Sequence, residues 1–159
     1  MNSSEPETAI LVIDDEESLR NTFQFFLQNE GYSPVITAST YEEALNEIND
    51  RHFDLIISDI VLGGSTGIDL LRRVRELGRT CPVVMITGYP TVDTASEAVR
   101  LGAFDYIPKP VEKQTLLKTA RLALRQHQLE QGQRRAEQER ERYRTFLESV
   151  FKGVADGII

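Results

Sequence analysis

The sequence predicts an α/β fold, a doubly wound parallel sheet with helices on both faces. Three observations lead there. Short runs that are apolar on every residue, Ile10-Leu11-Val12-Ile13, Leu55-Ile56-Ile57 and Val83-Val84-Met85-Ile86, fit parallel strands buried between helices. Stretches with helical periodicity separate them. The two patterns alternate as strand then helix five times, which implies right-handed crossovers.

The elements follow in order. The first strand is residues 10–13. A first helix places Leu19, Phe23, Phe26 and Leu27 on one face, and Gly31 sits where a helix-closing glycine belongs. A weaker second strand starts at Val35-Ile36. Thr40-Tyr41-Glu42-Glu43 has the form of a capping box and opens a second helix through Ala44, Leu45 and Ile48. After the third strand, Leu70, Leu71, Val74 and Leu77 form a third helical stripe, closed by Gly78. After the fourth, Thr91 is placed to cap a helix through Ala95, Ala98 and Val99, closed by Gly102. A weak fifth strand spans residues 104–107, and a fifth helix begins near Glu112, just past Pro110.

Composition narrows the classes. The chain has 159 residues, 40% hydrophobic and 27% charged, an ordinary globular balance. No apolar run nears the ~18 residues of a membrane span. The first eight residues are polar, carry Glu5 and Glu7, and lack the pattern of a signal peptide. The single cysteine, Cys81, excludes an internal disulfide and a cysteine-rich zinc site. His52 and His127 stand 75 positions apart with no ligand motif around either. A cytoplasmic protein is expected. Residues 1–111 hold 8 basic and 18 acidic side chains, whereas residues 112–159 hold 10 and 7. The acidic body argues against direct nucleic-acid binding and suits a cation. The tail alternates sign, as a solvated helix does.

The chemistry sits where the strands end. The first ends in Asp14-Asp15, the third in Asp59, the fourth in Thr87, and the fifth runs into Lys109. Open α/β sheets bind ligands outside the carboxyl ends of strands, where the strand order reverses. Three carboxylates close together raise one another's pKa unless compensated. A hard divalent ion such as Mg2+ takes such oxygens readily. Lys109 neutralises charge, and the Thr87 hydroxyl can donate to a phosphoryl oxygen. Together these groups make a phosphoryl-transfer site. Each alone has a plainer reading as a helix cap or loop residue; their joint placement on four strands argues for a site.

Residues 9–124 resemble a response-regulator receiver domain, the CheY-like fold of bacterial two-component signalling. The matching segments are AILVIDDEESLR, DLIISDIVLGGSTGIDLL and PVVMITGYPTVDTASEAVRLGAFDYIPKP. The resemblance implies the strand order 2-1-3-4-5 and Asp59 as phosphoacceptor. It implies Mg2+ held by Asp14, Asp15, Asp59 and the backbone carbonyl of Val61. It also implies Thr87 and Lys109 as phosphoryl-binding groups, a cis peptide before Pro110, and Thr87 with Tyr106 as a switch pair. Taken alone, Tyr106 reads as core packing. Val61 and Tyr89 are placed to flank the attacking water and tune the phosphoryl lifetime. One departure stands out: the family usually has a proline after the position of Leu62, where this chain has Gly63-Gly64. Glycines widen the accessible backbone space, so a looser loop is expected there. Gly67 matches the family glycine.

The implied function is a phosphorylation-activated signalling receiver. It takes its phosphoryl group from a sensor histidine kinase and switches the surface of its fourth helix, fifth strand and fifth helix. It is a switch that catalyses its own aspartyl phosphorylation and dephosphorylation, not a conventional turnover enzyme. Two alternatives stand beside it. A Mg2+-dependent aspartyl phosphatase of the haloacid-dehalogenase type usually carries a second aspartate two residues after the nucleophile, where this chain has Val61. A constitutive dimerisation module with an unused site sits poorly with the intact acidic set.

Beyond residue 124 the fifth helix pattern continues. Residues 125–150 read as a helical linker and a coiled coil. Leu122, Leu129, Ala136, Tyr143 and Val150 recur every seven residues; Leu147 and Val154 join a second seam, whose earlier positions hold Gln126, Gln133 and Arg140. A helix from 112 to about 150 would run roughly 60 Å, too long to pack wholly on a small domain, so a parallel homodimer is expected. Residues 151–159 are similar to the entry of a PAS sensor domain. Residues 1–8 are expected to be flexible.

Overall fold

Strands that are apolar on every residue must be covered on both faces, and the computed structural model, which describes residues 7–155, places them accordingly. In chain order the elements are β1 (Ile10–Ile13), α1 (Glu17–Asn29), β2 (Val35–Ala38), α2 (Tyr41–Asp50), β3 (Leu55–Asp59), β4 (Val61–Leu62), β5 (Ser65–Thr66), α3 (Gly67–Glu76), β6 (Val83–Thr87), α4 (Val92–Arg100), β7 (Asp105–Pro108) and α5 (Lys113–Ala155). The main sheet has the order β2-β1-β3-β6-β7, all parallel. This is the expected 2-1-3-4-5 order of five strands. Ile10 pairs with Val35 on one side and Leu55 on the other, so β1 and β3 lie inside the sheet and β2 at its edge.

Side chains alternate across a strand, so each strand feeds two cores. Leu11, Ile13, Ile56 and Met85 meet Ala44 and Ile48 of α2, Leu70 and Val74 of α3, and Ala98 of α4. Ile10, Val12, Ile57 and Val84 meet Phe23 and Leu27 of α1 and Leu116, Ala120 and Leu124 of α5. The chain divides into two units, residues 1–124 and 125–159. Within the second, α5 continues as helix to Ala155. Among the described residues no helix is long and apolar enough to cross a membrane. The expected flexible segment 1–8 falls mostly outside the described residues, as does the end of the PAS-like stretch 151–159.

Helix boundaries follow local chemistry, with one correction. Thr91 caps α4 by accepting from the Thr94 amide, and Thr40 caps α2 by accepting from the Glu43 amide. The Glu43 carboxylate, however, does not close a box on Thr40. It accepts instead from the amide and hydroxyl of Ser39, 2.8 and 2.9 Å away, because that neighbour offers two donors. The full capping box belongs to α3, between Thr66 and Asp69. The glycine-rich loop lies between β3 and α3. Its shape is a small hairpin: Val61 pairs with Thr66 and Leu62 with Ser65, and Gly63 turns the chain at φ +77°.

That hairpin returns the chain to the end of β3. The Gly67 amide donates to the Ile60 carbonyl at 2.7 Å. A Cβ on Gly67 would collide with the Asp59 carbonyl oxygen and crowd the Met85 methyl. The glycine is therefore required by close approach, not by its φ. We expect Gly67→Ala to destabilise the protein by about 1–3 kcal/mol, the usual cost of overpacking, read as a lower urea midpoint; an unchanged midpoint would contradict this packing.

Cys81 is buried beside the start of β6. Burial disfavours the charged thiolate and pushes its pKa up to about 11. The reactive form is therefore scarce until pH approaches that value. At pH 8 the native thiol should stay unmodified by an aromatic disulfide reagent and react fully in denaturant. Rapid labelling of the folded protein would show that the start of β6 opens to solvent.

Candidate functional site

The strand order sets the site. Because β1 and β3 are neighbours, Asp14 and Asp15 at the end of β1 stand beside Asp59 at the end of β3. Beyond them lie Thr87, which ends β6, and Lys109, which follows β7. β2, at the edge, contributes none of the five. This is the crevice where the chain's direction of winding reverses, with α1 against one face and α2 against the other.

Three carboxylates face one ammonium. Oxygens of Asp14, Asp15 and Asp59 lie within 4.8 Å of one another. Lys109 Nζ donates to Asp14 Oδ2 at 2.9 Å and to Asp59 Oδ2 at 3.0 Å. The second oxygen of Asp14 accepts from the Glu16 amide at 2.9 Å, and that of Asp59 from the Val61 amide at 3.3 Å. Arg20 holds the Asp14 carbonyl at 2.8 Å. Asp14 and Asp59 are buried and Asp15 is exposed, so the cluster opens to solvent on one side. The Lys109 amide bonds the Thr87 carbonyl at 2.7 Å, which sets the start of the lysine side chain, and the Lys109–Pro110 peptide is cis, as expected.

Charge balance sets the direction in which Asp59 and Lys109 shift. Burial raises the pKa of Asp59, as does the charge of Asp14, against the opposing hydrogen bond from Lys109. Burial alone would lower Lys109, but its bonds to Asp14 and Asp59 outweigh that and raise it. Lys109 therefore stays protonated and still leaves the cluster short of positive charge. Hard oxygen donors with an excess of negative charge suit a small divalent cation such as Mg2+, and Asp14, Asp15 and Asp59 fit that role.

The remaining sequence-predicted residues are spread more widely. Thr87 is buried, and its Oγ1 accepts from the Tyr89 amide at 2.9 Å. Val61 and Tyr89, at 50% and 81% exposure, stand in solvent at the ends of β3 and β6. The expected partners Thr87 and Tyr106 bond separately. The Tyr106 ring packs against the α2–α3–α4 core. Its hydroxyl meets Thr94 Oγ1 at 2.7 Å and accepts from the Thr91 amide at 3.2 Å. Thr94 and Arg20 were not singled out from sequence. Thr94 sits three residues after a cap, the only signal it carries.

The whole α/β unit matches known proteins. The family model for the response regulator receiver domain matches residues 10–121. The chain is 38% identical over 127 residues to the alginate biosynthesis transcriptional regulatory protein AlgB of Pseudomonas aeruginosa, covering 80% of this chain and 28% of AlgB. It spans about a quarter of the length of such curated relatives. A CheY-like receiver domain protein from Methanospirillum hungatei superposes with a TM-score of 0.75 at 31% identity, covering 78% of this chain and 98% of that one. A response regulator protein from Burkholderia pseudomallei, solved with a phosphorylated aspartic acid, calcium ion and citrate, gives 0.67 at 30% identity, covering 79% and 73%. With its strand order, its acidic crevice and its sequence in agreement, the chain belongs to the response regulator receiver domain family.

Proposed function

We propose that this chain accepts a phosphoryl group on Asp59 from a phosphohistidine of a sensor histidine kinase, with Mg2+, and changes its α4–β7–α5 surface in response. The observation that carries the reading is Lys109 bridging Asp14 and Asp59 while Asp15 stands within 4.8 Å of both. The phosphorylated aspartic acid and calcium ion of the Burkholderia pseudomallei protein support the same assignment.

An Asp59 carboxylate oxygen attacks phosphorus in line with the departing imidazole nitrogen. The P–N bond breaks, an O–P bond forms, and the imidazole takes a proton from solvent. Asp14, Asp15, Asp59 and the Val61 carbonyl would hold the ion, which would supply positive charge against the phosphoryl oxygens. Lys109 exchanges its bond to Asp59 for one to the new group. In-line attack by water on phosphorus breaks the O–P bond, restores the Asp59 carboxylate and releases inorganic phosphate; Val61 and Tyr89 flank that approach and tune its rate.

The switch follows from donor inventory. Thr87 Oγ1 accepts from the Tyr89 amide, and its own proton remains available to donate to a phosphoryl oxygen. Drawing Thr87 inward makes room for Tyr106 to leave Thr94 and the end of α4 and turn toward the core. That changes the outer surface of α4, β7 and α5, a two-state shift biased by one local charge. The chain acts in the cytoplasm without direct contact to nucleic acid or membrane, and forms a homodimer through its C-terminal helix.

Incubation with Mg2+ and a small phosphodonor should add the mass of one phosphoryl group to the intact protein. Asp59→Asn, or a chelator of divalent cations, should abolish it. A protein that stays unmodified with donor and metal present, or an Asp59→Asn variant labelled as fully as wild type, would defeat the assignment.

A further inference from the structure

The second unit of the chain is helix, yet it carries an apolar surface of its own. Tyr143, Phe146, Phe151 and Val154 are 62–71% exposed, and Val150 is 46% exposed. A run of large apolar side chains in water marks a surface that meets a partner. The chemistry flanking this seam says which one.

With Leu129, Ala136, Tyr143 and Val150 at d, the a positions fall on Gln126, Gln133, Arg140, Leu147 and Val154. In a parallel, in-register pair each g residue faces the e residue five positions further along the other copy. Arg125 then meets Glu130, and Glu139 meets Arg144, both oppositely charged. Phe146 meets Phe151, apolar on apolar at the height of the apolar core layers Leu147 and Val150. Gly132 against Glu137 is neutral, so no like-charge pair remains. Antiparallel pairing sets e against e and g against g, and these matches are lost. Arg144 is free to take this role at modest cost, because its contacts at 3.1 Å with Glu141 and 3.9 Å with Glu148 are exposed pairs within one helix.

We propose that a second copy of this chain covers this face as a parallel, in-register coiled coil held chiefly by residues 143–154. The polar a layers Gln126, Gln133 and Arg140 set the register and leave the stretch before residue 143 weakly associated. Polar residues at a lower stability in exchange for a defined alignment. The proposal deepens the homodimer reading above and rests on it.

The test uses the 159-residue chain. Sedimentation should show a dimer. Arg144→Glu should weaken it about tenfold, since two symmetry-related pairs turn from attraction to repulsion. Adding Glu139→Arg should restore most of the loss, a rescue only the parallel alignment allows. Under mild oxidation Val150→Cys should give covalent dimer and the outward Thr145→Cys little, with buried Cys81 as a silent background. A monomer at all micromolar concentrations would sink this proposal and the homodimer reading together. A dimer insensitive to the charge swap, or one that cross-links equally through Thr145→Cys, would sink the alignment alone. Circular dichroism of each variant confirms that the helix is retained.

Discussion

An excess of buried negative charge organises this protein. Asp14, Asp15 and Asp59 converge with Lys109 as the ammonium that bridges two of them, 2.9 and 3.0 Å away. Carboxylates taken out of water repel one another and lose hydration, which is costly unless positive charge is returned to them. Asp59 registers the shortfall directly, because burial and the charge of Asp14 raise its pKa even with Lys109 bonded to it. A group so placed gains from any added cation and is poised to share its negative charge with an electrophile.

The rest of the fold exists to hold that imbalance in place. The sheet order makes β1 and β3 neighbours, so the two acidic ends meet. The hairpin β4–β5 brings Gly67 back against the Asp59 backbone, where a larger residue would not fit. A second set of contacts fixes α4. Tyr106 is bonded to Thr94 and Thr91 at its start. Arg72 pairs with Glu97 in its middle, and Arg75 bonds the carbonyls of Leu101 and Gly102 at its end. These contacts give α4 a defined resting position against α3 and β7, from which a switch can depart.

Much of this was legible in the sequence, for identifiable reasons. Strands buried on both faces leave continuous apolar runs, so Ile10-Leu11-Val12-Ile13 and Val83-Val84-Met85-Ile86 declared themselves. Polar residues at the ends of such runs are conspicuous, so Asp14, Asp15, Asp59, Thr87 and Lys109 could be gathered before any coordinates. What stayed hidden depends on contacts between distant or very short segments. The Tyr106–Thr94 bond joins a strand to a helix start through two hydroxyls that carry no pattern. Strands of two residues, such as β4 and β5, have no periodicity to read. Glu43 satisfied the spacing of a capping box, but two donors on Ser39 competed successfully for its carboxylate. In the second unit the sequence is the richer source, since the seven-residue spacing of apolar side chains along α5 is read from residue positions alone.

The carboxylate cluster of Asp14, Asp15 and Asp59 fits one divalent cation. The most direct measurement is thermal unfolding across a Mg2+ titration, set against Na+ at matched ionic strength. Ligand binding to the native state alone raises its stability by RT ln(1 + L/Kd), where L is the free ligand concentration. A Tm that climbs with the logarithm of Mg2+ concentration above the dissociation constant, and is lost in Asp15→Asn, is the result this account predicts. A Tm that responds to Mg2+ no more than to Na+, or a rise that survives in Asp15→Asn undiminished, would contradict it.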